Sequence, residues 1–198
     1  MLLARKPPEA VIYRFVEAQA RASLRYADVG ATKTSQAPRN YRNVRHRVKL
    51  GEGEHAYGLA IKALYDYHMY RLKGVELYPP KLTVMKDETI AVLVRHFGVW
   101  SLNGCRIVYK LDEKEPVKRC GFGIGTLPEH LLEGEERFMV SWQEDDTVWY
   151  EFFSFIRAKQ LLAQFGLPAT RLKYRQFVRA SASAMVEAVS EAKLETAT

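Results

Sequence analysis

Two hydrophobic periods divide this chain into elements. Residues 9–24 space Ile12, Phe15, Val16 and Ala20 as one stripe of a short amphipathic helix. A polar stretch with Gly30, Ser35 and Pro38 follows, and reads as a surface loop or arm. Val44, His46, Val48 and Leu50 then alternate with Arg45, Arg47 and Lys49, the two-residue period of a half-buried strand with a basic outer face. Gly51 and Gly53 break that strand. Tyr57, Ala60, Ile61, Leu64 and Tyr65 form the stripe of a second helix over residues 54–67.

Strands dominate the middle. One is expected over residues 71–78, stopping at Pro79 and Pro80. Residues 89–94 are continuously apolar, which predicts a central strand covered on both faces. In residues 102–111, Cys105, Ile107 and Tyr109 are expected inward, with Arg106 and Lys110 outward. After a hairpin tip, glycines occupy every second position in Gly121-Phe122-Gly123-Ile124-Gly125. Side chains alternate across a strand, so one face here is apolar and the other is bare backbone, against which something bulky must lie. Residues 128–132 read as a short helical turn ended by Gly134. Glu136, Phe138, Val140 and Trp142 then share one strand face. In the last strand Val148, Tyr150 and Phe152 oppose Trp149, Glu151 and Phe153. A helical segment over 158–165 is interrupted at Gly166-Leu167-Pro168. The final helix, from about residue 170 to 192, is expected to bury Leu172, Phe177, Ser181, Ala184, Met185 and Ala188.

Strands in hairpin succession closed by a helix predict the α+β class: a curved antiparallel sheet of about seven strands gripping a long C-terminal helix. Residues 41–192 form the expected domain, 1–40 an N-terminal helix and polar arm, and 193–198 a tail. A chain of 198 residues with 47% hydrophobic content can bury one sizeable core. No apolar run approaches the ~18 residues of a membrane span. The apolar opening is too short for a signal peptide, and two cysteines make no disulfide scaffold; reduced thiols in a cytoplasmic protein are expected.

Charge changes the picture at one end. Residues 1–50 carry eleven Lys/Arg against three acids, whereas the remainder carries nineteen against twenty. A second, acid-free basic zone runs through Arg157, Lys159, Arg171, Lys173, Arg175 and Arg179. Such zones suit nucleic acid or an anionic surface, or are simply a solvated basic face.

The run GFGIGTLPEHLLEGEERF, followed by VWYEFFSF, FGLP and RQFVRASASAM, resembles uncharacterised protein family 0548, found in bacteria and plants. The resemblance extends back through LGEGEHAYGLAIKAL and WSLNGCRIVYKLDE, from about Tyr26 onward. It implies no activity and no catalytic residues. The family's element order is similar to that of the helix-grip, or Bet v 1-like, superfamily of lipid carriers, START domains and polyketide cyclases.

Three functions are therefore expected in competition. In the first, a hydrophobic small molecule or lipid lies in a closed cavity of roughly 300–1,000 Å³ between sheet and last helix. The Gly121, Gly123 and Gly125 face, Tyr109, Trp149 and Tyr150 would wall it, with Arg106, His130 and Glu151 as polar anchors. In the second, a cyclase-, isomerase- or hydrolase-like enzyme uses Glu151 or His130 as acid or base, Glu151 having its pKa raised inside an apolar cavity. The competing roles are a cross-sheet ion pair for Glu151, to Arg106 or Arg137, and a hydrogen-bonded turn residue for His130. In the third, Arg42, Arg45, Arg47 and Lys49 join the 171–179 cluster in one nucleic-acid or anionic-surface patch. The histidines and cysteines lack metal-ligand spacing, and the glycines lack a dinucleotide fingerprint, so no metal or cofactor is expected.

Overall fold

A computed structural model describes residues 1–80, 83–96, 98–159 and 167–196. Within them one antiparallel sheet contains β1 (Leu2–Leu3), β2 (Arg42–Glu52), β3 (Val75–Tyr78), β4 (Thr89–His96), β5 (Val99–Glu113), β6 (Lys118–Thr126), β7 (Leu132–Trp142) and β8 (Thr147–Ala158). Its spatial order is β2-β8-β7-β6-β5-β4-β3, with β1 paired to the start of β5. Each strand from β3 to β8 thus lies beside the next in sequence. The helices α1 (Glu9–Ala20), α2 (Gly53–Tyr65) and α3 (Leu167–Thr196) complete the architecture. The class is α+β, a curved sheet gripping the last helix.

Alternation along the strands decides what each face buries. Ile107, Phe122, Ile124, Phe138, Val140 and Phe152 point to the concave side, where Ala60 and Leu64 of α2 and Val178, Ala182 and Met185 of α3 pack on them. Ring contacts link Phe122 to Phe138 at 5.7 Å and Phe138 to Phe152 at 5.3 Å, tying β6, β7 and β8 together. On the convex side Ile12 and Phe15 of α1 meet Ala91, Leu93 and Leu102. Covered on both faces, β4 needs its continuous apolar run, although it lies one strand from the sheet edge.

Some local expectations shift. Residues 128–131 form a turn rather than a helix, with Leu132 already in β7, and α3 continues through residues 193–196 of the expected tail. Leu172 is 58% exposed, while Val178, Ala182 and Val189 are buried together with Ser181 and Met185. The expected helical segment over 158–165 falls largely outside the described residues.

Candidate ligand-binding site

The glycine face of β6 is the convex one, turned away from α3. The register shifts between Ile107 and Tyr109, so Ile107 opposes Ile124 but Tyr109 opposes Gly123. That irregularity reverses the side-chain parity of β5. Tyr109, expected inward, lies flat over Gly123 on the back of the sheet, where a methyl group would overlap its ring. Its hydroxyl is 2.6 Å from Thr32 Oγ1. Gly125 makes room in the same way for Tyr26, and Gly121 for the backbone of β7. The bulky partner of the bare face is therefore the N-terminal arm and Tyr109.

Glu135 anchors that arm. It is fully buried, and its carboxylate accepts hydrogen bonds from Tyr26 Oη at 2.9 Å, Gly30 N at 2.7 Å, Thr32 N at 3.0 Å and Thr32 Oγ1. Arg137 adds a bond to the Thr32 carbonyl at 2.9 Å.

The other expected site residues also sit on the back or at its rim. Arg106 donates to the carbonyls of Gln19 at 3.1 Å and Ala20 at 2.8 Å, satisfying the open end of α1. The Trp149 ring lies under the Arg47 guanidinium at 4.0 Å. Glu151 accepts from Ser141 Oγ at 2.7 Å and faces Arg47 Nε at 3.7 Å, so its ion pair is with Arg47 rather than Arg106 or Arg137. His130 accepts from the Leu132 N–H at 2.9 Å, and burial lowers its pKa to about 3. It is a neutral turn residue, and among the described residues its ring bonds only to the Leu132 backbone. Of the whole predicted ligand set, Tyr150 alone faces α3, its hydroxyl 2.7 Å from Ser181 Oγ.

The concave side offers a different opening. Beyond Val178 α3 is seated on the sheet, but its first half stands over two clefts beside β2. One, of about 230 Å³, has apolar walls from Val44, Leu132, Ile156 and Tyr174, with Arg42, Arg171 and Arg175 among its lining. The other, of about 320 Å³, shares Arg42, Val44 and Arg175 and reaches His46 and Arg179. These are open clefts rather than the expected closed cavity.

Tyr174 connects the first cleft to the interior. Its hydroxyl is 2.7 Å from Glu136 Oε1 and 2.8 Å from Ser154 Oγ. Glu136 and Ser154 are cross-strand partners on β7 and β8, so the sheet register delivers both to one spot. Burial pushes the Glu136 carboxyl up to about 7, against the opposing pull of the Tyr174 and Tyr70 hydroxyls. Near neutral pH this group can take up or release a proton. Glu136 itself is only partly buried and lines neither cleft; it meets the first through Tyr174. Strand parity already groups Glu136 with Phe138, Val140 and Trp142, a signal that could have singled it out.

Residues 25–184 match DUF1990, a domain of unknown function. The chain belongs to the DUF1990 family. A UPF0548 protein of Deinococcus radiodurans is 33% identical over 198 residues, which cover 95% of this DUF1990 chain and 98% of the relative. A UPF0548 protein of Dictyostelium discoideum is 27% identical, covering 96% of each chain. Among solved structures, a START superfamily protein from Mycobacterium smegmatis superposes with a TM-score of 0.52 at 12% identity, covering 77% of this chain and 99% of that one. A hypothetical protein from Helicobacter pylori gives 0.51 at 15% identity, covering 83% and 95%. These likenesses place the DUF1990 chain on the Bet v 1/START-like helix-grip fold. Among its described residues no helix is long and apolar enough to cross a membrane.

Proposed function

We propose that this DUF1990 protein binds a small hydrophobic molecule between its sheet and the first half of α3. The observation that carries the reading is the position of Tyr174, at once a wall of the apolar cleft and the hydrogen-bond partner of Glu136. Ligand sites combine apolar walls with a few placed polar groups in this way. The scaffold supports the reading too, since hydrophobic ligands are commonly held on START-like folds. A cleft of about 230 Å³ suits a small occupant.

Native mass spectrometry of protein purified without denaturation, followed by extraction of what it carries, tests this. Wild-type protein is expected to retain a discrete apolar molecule, and Val44→Trp, which fills the cleft, to lose it. Equal retention by a folded Val44→Trp protein would place the ligand elsewhere.

A second reading is favoured by the raised pKa of Glu136: an enzyme that uses this carboxyl as acid or base, in the role expected of Glu151 or His130. Glu136→Gln then accumulates a bound molecule different from that of the wild type. Identical contents in the two proteins argue for a carrier.

A further inference from the structure

We infer that the ligand of this cleft is an amphipathic anion, whose carboxylate or phosphate head is held by Arg42, Arg171 and Arg175 while its apolar body lies along Val44, Ile156 and Tyr174. The inference rests on the binding function proposed above and names its ligand class. Arg42 enters from the first residue of β2, on the sheet side of the cleft. Arg171 and Arg175 enter from α3, four residues apart and hence on one face of that helix. Cations thus reach a single concave space from two sides.

Those charges meet no acidic partner among the described residues. Among the described residues none of the three guanidinium groups donates a hydrogen bond or makes an ion pair. Arg157, also at this cleft, is by contrast bonded through Nε to Glu133 at 2.9 Å. No acidic side chain lines either cleft among the described residues, and the sequence holds no Asp or Glu between Glu151 and Glu187. Like charges gathered in a concavity repel one another and raise the local concentration of anions. Planar guanidinium groups match the paired oxygens of carboxylate and phosphate, and adjoining apolar walls strengthen the attraction by excluding water.

The same observations weigh against a nucleic acid as the occupant. The outer row of β2, which would have to extend the patch, is engaged within the protein. Arg45 donates to the Ser35 carbonyl at 2.6 Å and stacks on Phe153 at 4.5 Å. Arg47 covers Trp149 and faces Glu151, and Lys49 pairs with Glu52 at 2.5 Å. The two basic zones of the sequence meet at the clefts, around Arg42 and Arg175, rather than across an extended surface.

The test is isothermal titration of the full-length protein at pH 8 and low salt with octyl phosphate, octanoate, octanol and inorganic phosphate. Octyl phosphate and octanoate are expected to bind on the order of tenfold more tightly than octanol, the gain of charge-assisted hydrogen bonds. Inorganic phosphate alone should bind far more weakly than octyl phosphate. In Arg42→Gln/Arg171→Gln/Arg175→Gln protein the preference vanishes while octanol affinity persists, which also reports that the cleft is still folded. If the triple variant unfolds, Arg171→Gln alone, at an exposed position, should reduce the preference by several-fold. Octanol binding as tightly as octyl phosphate would overturn the anionic head and leave the proposed function standing. Failure of all three alkyl probes would remove both. Inorganic phosphate matching octyl phosphate would overturn the amphipathic character and mark a free-phosphate site. A short oligonucleotide that binds through these arginines and displaces no alkyl probe would reassign the patch to nucleic acid.

Discussion

Replacing Glu136 by Gln should alter the pH dependence of stability in a way that no surface carboxylate can. Gln keeps the oxygen that accepts from Tyr174 Oη at 2.7 Å and removes the titration. The folded-state pKa of about 7 lies above the ordinary value of 4.5, so folding favours the protonated form. Its contribution is fully present below pH 4.5 and is lost as pH rises through 7. A shift of this size corresponds to about 3 kcal/mol at 1.36 kcal/mol for each pH unit. The assay is urea unfolding of ligand-stripped wild type and Glu136→Gln at half-unit steps from pH 4.5 to 9. Other titrations cancel in the difference between the two curves. The variant should gain on the wild type by about 3 kcal/mol between pH 4.5 and 8, then hold constant. A difference that stays flat across that range would refute the reasoning, because Glu136 would then ionise as freely in the folded chain as in the unfolded one.

Two further outcomes follow from the back of the sheet. Gly123→Ala drives a methyl group into the Tyr109 ring, which Thr32 and the Lys33 ammonium at 4.9 Å hold in place, and should cost about 1–3 kcal/mol in urea unfolding. Gly58→Ala, in open space within α2, is its control and should be neutral or slightly stabilising. Glu135→Ala strands the donors of Tyr26, Gly30 and Thr32 and should cost at least about 3 kcal/mol. Hydrogen exchange at the Gly30 and Thr32 amides would then approach that of an open chain; retained protection would show that the arm is held by other contacts.

Much of the fold was legible because it rests on periodicity. Strand alternation in β2, β7 and β8 and the helical spacing in α2 need only the identity of each residue as apolar or polar. Parity along a strand sorts side chains into two sets without saying which set faces the helices. Glu151 belongs with Trp149 and Phe153, and that set turns out to face away from α3, under Arg47. Glu136 belongs with Phe138 and Val140, which face it. Tyr109 was misplaced for another reason: the irregularity at Val108 reverses the parity, and apolar Ile107, Val108 and Tyr109 in succession carry no mark of it. The bare glycine face did predict a bulky partner, but Tyr26 reaches Gly125 from a hundred residues away, and only the folded chain brings them together. The basic cleft needed the same step, since Arg42 and Arg175 lie at opposite ends of the sequence and on facing elements.

The central claim, that the space under the first half of α3 is the ligand site, is tested most directly by mapping a neutral probe. Isotope-labelled, ligand-stripped protein titrated with octanol should show saturable NMR shift changes at the methyl groups of Val44, Leu132 and Ile156 and at the ring of Tyr174. Shifts confined to the convex face around Tyr109 and Trp149, or none at saturating octanol, would contradict it.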